Sequence, residues 1–340
     1  MRGMVFLGNK KTEIKEFPDL VPGPGEVVIN IKTSGLCGSD LHTYYAEYTD
    51  PNRIMGHEGA GIVTRIGEGV TNVKEGDRVA IYHFITCGMC RYCMSGYGQF
   101  CPDKKGLGGA ADGTHAEQIL VKAENCLPLP DDISFAVGAF IGCFAGTSYS
   151  AMKKLQPNGL TTLAVFGLGP VGMAGVQYAK AMGARVIGID HIPERLNLAK
   201  ELGADDVINF AEQDTVKALL EMTDGKGPEL IYESSGSPQA QKNAIESAAV
   251  QGKVCLVGYN GPMSLKTDSI PNLYIAIGKE LTIMGSSVMP RHHHYEIIDF
   301  IRRKNIDLEK MVTHRFPFDR IDKAFEVFDT GKTGKVIVEM

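Results

Sequence analysis

The 340-residue sequence has no basic tail and no block of lysine or arginine, and its formal net charge is −5. Both features argue against nucleic acid as the main partner, because binding phosphate needs a concentrated positive surface. No secretory leader is expected either, since Met1 to Phe17 alternates apolar with charged residues and contains no apolar core. Leu160 to Ala179 carries no charge and is long enough to suggest a membrane span, but glycines, Pro170, Thr161 and Thr162 interrupt it. That composition predicts strand, turn and helix instead. A cytoplasmic protein with no membrane and no nucleic-acid partner is the expectation. Hydrophobic content of 44% and charged content of 22% are those of a soluble globular chain, and the length exceeds one ordinary core, so two domains are expected.

Cysteine is present in useful numbers. Of eight cysteines, four fall within fifteen residues, as Cys87-x2-Cys90-x2-Cys93-x7-Cys101. Disulfide-dense scaffolds are typically small and secreted, and this chain is neither short nor equipped with a signal. Four thiolates at short spacing can close a tetrahedral shell with no room for substrate, which is the pattern of a structural zinc lobe over about residues 85–103. An iron–sulfur run of this type would continue with x3-Cys-Pro rather than x7-Cys.

A second constellation is Cys37-Gly38-Ser39-Asp40-Leu41-His42, read with Gly56-His57-Glu58. Cys37 and His57 could share one soft divalent ion, with a hydroxyl and a second histidine beside them to carry a proton. Taken singly, each reads more simply as a buried thiol and a satisfied core histidine. Two ligands are too few for a metal, so a third must come from elsewhere in the chain.

The first 145 or so residues read as all-β: Val27–Ile31, Gly59–Ile66, Arg78–Ile81 and Ile119–Val121 are short strands punctuated by glycine. After residue 145 strands alternate with helices, which predicts a parallel, doubly wound sheet and an α/β fold class overall. The apolar strand Leu163–Phe166 runs into Gly167-Leu168-Gly169-Pro170-Val171-Gly172 and then a helix, and the next strand ends at Asp190, 18 residues after Gly172. In that context the glycines let a pyrophosphate approach the helix N-terminus, and Asp190 accepts the adenosine-ribose hydroxyls. Its charge favours NAD over NADP, a preference that the nearby cations His191 and Arg195 soften. The run His292-His293-His294 reads as a solvated helix start, since consecutive residues rarely converge on one ion.

Together, C-G-S-D-x-H, G-H-E-G-x-G, the four-cysteine lobe, G-L-G-P-V-G and the Asp after the second strand resemble the zinc-dependent alcohol dehydrogenases of the medium-chain dehydrogenase/reductase superfamily, over nearly the whole chain. The resemblance implies a GroES-like catalytic domain over 1–145, completed by 286–340, with a Rossmann domain over 146–285. It implies two zinc ions per chain, one held catalytically by Cys37, His57 and Cys143, with Glu58 nearby as a transient or outer ligand. Thr147 would lie beside the nicotinamide. Ser39 and His42 would relay the alcohol proton to solvent, a step suited to a side chain whose unperturbed pKa is about 6.5, while hydride passes to nicotinamide C4. The backbone of Val257-Gly258-Tyr259 would meet the carboxamide and Lys335 the pyrophosphate, while Tyr48 and His83 would line the substrate pocket. One departure is Gly38, where many relatives carry Arg or His. The polar pocket implies a secondary or polyhydroxylated alcohol; a simple primary alcohol, or the chemistry of a zinc-free NADPH quinone or enoyl reductase, is the alternative. Relatives are dimers or tetramers, and the short form looks more like the homotetrameric kind.

Overall fold

The computed structural model describes residues 1–258 and 273–340. Contacts divide the chain into two compact units, Met1–Gly146 with Met289–Ile297 and Val312–Met340, and Thr147–Val288 with Ile298–Met311.

In the first unit, six strands lie side by side in the order Val312–Pro317, Lys335–Glu339, Glu26–Gly35, Glu58–Ile66, Arg78–Ile81 and Cys126–Pro128, and Gln118–Lys122 also pairs with Glu26–Gly35. Only the first pair is parallel. Arg2–Gly8 and Lys11–Glu16 form a separate antiparallel hairpin. Val27, Ile29, Ile31, Val63, Val79, Ile81, Ile119 and Val121 come from alternate positions of neighbouring strands and make one buried cluster, as the period of two along a strand requires.

The expectation that this region is all-β needs correction, because it holds helices at Asp40–Tyr45 and Phe135–Ile141. Each is too short for an apolar stripe to recur, so the sequence carries no helical period there. The second is capped by Ser134, whose Oγ accepts from Val137 N at 3.2 Å, and six of its seven residues are buried, which removes the polar face that would betray a helix. A strand at Val312–Pro317 also went unanticipated.

The helix Ile321–Asp329 shows the opposite case: Ile321, Ala324, Phe325 and Phe328 are buried at helical spacing. Phe325 meets the Phe6 ring edge-on at 5.1 Å and the Tyr44 ring at 5.3 Å, so the end of the chain closes over its beginning.

In the second unit, six parallel strands lie in the order Asp206–Asn209, Arg185–Asp190, Thr162–Phe166, Leu230–Glu233, Lys253–Leu256 and Thr282–Gly285. The chain-order sequence 3-2-1-4-5-6 reverses direction between Thr162–Phe166 and Leu230–Glu233, and crevices at such a reversal, outside the carboxyl ends of the strands, bind ligands. The unit also takes back 298–311, a stretch expected in the other one. Gln177 Nε2 donates to Asp307 O at 2.9 Å and helps hold that return. No single helix among the described residues is long and apolar enough to cross a membrane, and Leu160–Ala179 is a strand followed by the helix Pro170–Ala181.

Replacing Phe325 by Ala removes a fully buried ring from the cluster that joins the two ends of the chain. It should lower the unfolding free energy by about 3–5 kcal/mol, read as a shift of the denaturant midpoint in the unfolding transition that reports this unit.

Candidate active site and metal centres

Three loops converge at one point of the first unit. Cys37 follows the strand Glu26–Gly35, His57 immediately precedes Glu58–Ile66, and Cys143 follows the helix Phe135–Ile141. Gly35 is paired with Glu58 in the antiparallel ladder, which sets the first two loops beside each other. The helix packs on both strands and brings the third. The ligand atoms of Cys37, His57, Glu58 and Cys143 all lie within 4.8 Å of one another.

The surroundings fix both position and charge. Asp40 is buried, with Oδ1 3.1 Å from His57 Nδ1 and Oδ2 accepting from Cys37 N at 2.9 Å. Burial alone would raise the Asp40 pKa, but His57 and then His115 overcome it and hold the carboxyl well below the usual carboxylate range. With Nδ1 engaged in this way, Nε2 is the His57 nitrogen left for an ion, an arrangement common in histidine metal ligands. Behind Asp40, the buried His115 has Nε2 3.9 Å away and Nδ1 2.8 Å from Ser34 Oγ. Burial opposes a charged His57, yet the neighbouring Asp40 and Cys37 push its pKa well above the ordinary value. The Cys143 thiol donates toward Cys37 and lowers the Cys37 pKa, while its own is raised by the thiolate it faces and by burial.

Glu58 is fully buried and forms an ion pair with Lys335 Nζ that is not aligned as a hydrogen bond; Oε1 has no hydrogen-bond partner. Burial pushes the Glu58 carboxyl up to about 7 in spite of Lys335. Two thiols, an imidazole and an orphaned carboxylate oxygen crowded together are the donor set of a borderline-soft dication, and they fit zinc.

The four-cysteine lobe likewise gathers its sulfurs within 4.8 Å. Cys90 Sγ is 3.5 Å from Cys93 Sγ, and Cys90 N donates to Cys87 Sγ at 3.4 Å. Backbone N–H groups of Met89 and Cys90 draw the Cys87 thiol down to about 7, which readies it as a thiolate ligand. Cys126 and Cys255, unassigned to either cluster, are buried core thiols.

In the second unit, Gly167 sits at the sheet reversal with φ +86°, and a side chain on it would meet Ser235 Cβ at 2.8 Å. A side chain on Gly172 would run into the Gly167 carbonyl, whereas one on Gly169 would meet nothing within 4 Å. Two glycines thus close the turn and the third leaves an open face at the N-terminus of the helix Pro170–Ala181, where backbone N–H groups and the dipole favour an anion. Pro170 and Val171 open that helix. Asp190 ends the strand Arg185–Asp190, with Oδ2 accepting from Leu168 N at 2.8 Å and Oδ1 from His191 N at 2.7 Å. Arg195 Nη1 is 3.9 Å from Asp190 Oδ2. Val257 N and Gly258 N both donate to Glu233 O, at 2.8 and 3.0 Å; Tyr259 lies outside the described residues.

Other expected site residues lie on several elements. Ser39 Oγ donates to Cys37 Sγ at 3.3 Å, and His42 is exposed in the next helix. Thr147 is buried on the helix Phe144–Leu155. His83 is buried, its ring 5.5 Å from that of His57. Two expectations need correction. Lys335 is fully buried, paired with Glu58 and donating to Leu36 O at 2.6 Å, so its charge is spent inside the sheet rather than on a phosphate. The strand Lys335–Glu339 is hydrogen-bonded to Glu26–Gly35 and buried over its first four residues. Tyr48 is 85% exposed, which does not suit the wall of a closed pocket. The sequence reading passed over Asp40 and His115; the Asp of C-G-S-D-x-H was visible, but nothing local marks His115.

Residues 23–131 match the family described as alcohol dehydrogenase GroES-like domain, and 170–303 match zinc-binding dehydrogenase. An L-threonine 3-dehydrogenase of Pyrococcus furiosus is 34% identical, over 93% of this chain and 91% of that protein. A sorbitol dehydrogenase of Halalkalibacterium halodurans is 32% identical, over 96% and 94%. The chain belongs to the zinc-dependent alcohol dehydrogenases of the medium-chain dehydrogenase/reductase superfamily. Its fold superposes on an Escherichia coli CFT073 alcohol dehydrogenase solved with NADH, with TM-score 0.90 and 30% identity, covering 100% of this chain and 99% of that one. Members of this family are oxidoreductases acting on CH–OH groups and use a nicotinamide cofactor, and so does this dehydrogenase.

In this alcohol dehydrogenase Asp40 is the group that aims His57. Asp40→Asn should weaken zinc at the Cys37 cluster about 10–100-fold, measured by competition with a chromophoric chelator. The four-cysteine lobe, which Asp40 does not touch, should keep its ion.

Proposed function

We propose that this dehydrogenase oxidises a secondary or polyhydroxylated alcohol to the ketone or aldehyde, with NAD as hydride acceptor and two zinc ions per chain. The observation that carries the chemistry is the convergence of Cys37, His57 and Cys143 beside the orphaned Glu58 oxygen. Bound there, zinc would supply Lewis acidity, which lowers the pKa of a coordinated hydroxyl. The chain's own groups do the rest. Cys37, His57 and Cys143 hold the ion, and Asp40 orients His57. Ser39 would take the alcohol proton while passing its own, through the cofactor ribose, to His42, which at the surface releases it to solvent. Thr147 and the backbone of Val257 and Gly258 position the nicotinamide, and the Gly167–Gly172 turn receives the pyrophosphate.

Two features support the finer parts of this reading. The neutral His83, whose pKa is lowered to about 4 by burial and the nearby His57, has Nδ1 2.7 Å from Gly142 O. A carbonyl only accepts, so the proton sits on Nδ1 and Nε2 is left as an acceptor. An acceptor at that place suits a second hydroxyl on the substrate, and leaving it unpaired costs about 1–3 kcal/mol. The relative named for sorbitol takes a substrate of that kind, and the one named for L-threonine takes a secondary alcohol whose other polar groups are an amine and a carboxylate. Asp190, held by Leu168 and His191 N–H groups, would repel a 2′-phosphate and favours NAD. The family's habit of forming dimers and tetramers makes a homo-oligomer, in the cytoplasm, the natural state of the chain.

Initial rates over primary, secondary and polyhydroxylated alcohols, each with NAD and NADP, test the proposal. Secondary and polyhydroxylated substrates with NAD should give the highest kcat/KM; a preference for simple primary alcohols, or for NADP, would overturn that part. Replacing Asp190 by Gly should shift the cofactor ratio toward NADP, by about 1–2 kcal/mol in kcat/KM if a single unfavourable charge is removed. His42→Ala should slow turnover near neutral pH and much less at high pH, where hydroxide takes its place; an unaltered pH–rate profile would remove His42 from the relay.

A further inference from the structure

The three consecutive histidines are not the solvated run that their order implies. His294 is fully buried, with Nε2 2.7 Å from the Pro128 carbonyl. His292 and His293 turn elsewhere, their ring centroids 4.7 Å apart at 84°. Glu296, one turn on from His293, joins them, so that ligand atoms of His292, His293 and Glu296 lie within 4.8 Å of one another.

Adjacent residues on a helix point about 100° apart, and the convergence has a local cause. His292 lies in the turn before the helix His293–Lys304, so its backbone is not bound by the helical step. His293 and Glu296 are three apart on the helix and share a face. The backbone around them is pinned: Tyr82 Oη donates to Met289 O at 3.1 Å, Arg291 Nη1 donates to Glu124 O at 2.9 Å, and His294 holds Pro128. A set of donors held before binding loses less freedom when an ion arrives. His292 also lies against the four-cysteine lobe, where its Nδ1 is 2.9 Å from the place a side chain on Gly96 would occupy. The Tyr97 ring meets it edge-on at 6.0 Å.

We propose that His292, His293 and Glu296 form a separate metal site for a divalent first-row transition ion such as zinc, which ties the residue before the helix His293–Lys304 to the first turn of that helix. Two imidazoles and one carboxylate suit zinc, copper(II) or nickel(II) and not calcium or magnesium, which prefer oxygen alone. Three protein donors leave the remaining position to water. The helix N-terminus opposes a cation there; the Glu296 carboxylate in the first turn offsets it. The site takes no part in hydride transfer, and its test does not depend on the substrate.

Purified wild type, His292→Ala and Glu296→Gln are dialysed against the same buffered zinc, and bound metal is counted by plasma emission. Each variant should retain one equivalent per chain fewer than wild type. The unfolding midpoint of wild type should rise on zinc addition after the cysteine-held sites are filled, and that of the variants should not. His292 is exposed, so its truncation leaves the core packing in place. Equal zinc content in the three proteins, or a zinc-induced shift that survives both substitutions, overturns the proposal.

Discussion

The pairing of Gly35 with Glu58 across the antiparallel ladder is the constraint on which the catalytic unit depends. It places the loop carrying Cys37 beside the loop carrying His57, two segments that the sequence separates by twenty residues. A side chain at Gly35 would collide with the ends of both the Glu58 and the Lys335 side chains, so the bare position leaves room for that ion pair. A one-residue slip would reverse every side chain's face and scatter the donors. Rigid strands and a buried helix end thus do the positioning, and the loops between them carry the chemistry.

Around that ladder the unit buries charges that would be costly apart. Glu58 and Lys335 are fully enclosed, and Lys335 leans on the Phe144 ring at 4.6 Å while its ammonium bonds to Leu36 O. Removing either partner would leave the other charge uncompensated, the situation in which buried pairs are most destabilising to break. Asp40 similarly stands between His57 and His115. Such arrangements are weak devices for stability and strong ones for geometry, since each fixes the rotamer and proton position of a donor to the same point.

The second unit works by subtraction. Its glycine turn is defined by where side chains are missing: Gly172 admits the Gly167 carbonyl, and Gly169 faces open space. Asp190 is then held by backbone N–H groups at the end of the neighbouring strand, so the acidic group and the glycine turn are parts of one structure. Glu233, buried under the turn that follows its strand, accepts from Ser235 N at 2.9 Å and Gly236 N at 3.0 Å and stabilises the opposite side of the reversal. No sequence pattern announced it.

The sequence alone determined what depends on neighbours along the chain: the cysteine lobe, the glycine turn between strand and helix, several of the strands, and the apolar spacing of Ile321–Asp329. Spacing and periodicity are local properties, so they survive being read in one dimension. Tertiary structure decided what depends on long-range register. It turned Lys335 inward to Glu58, set His115 behind Asp40, left Tyr48 outside, and split three adjacent histidines between the core and a ligand cluster. In each case the outcome follows from which strand or turn packs against that side chain, a relation between segments up to about three hundred residues apart in the case of Leu36 and Lys335. No motif in the chain encodes it.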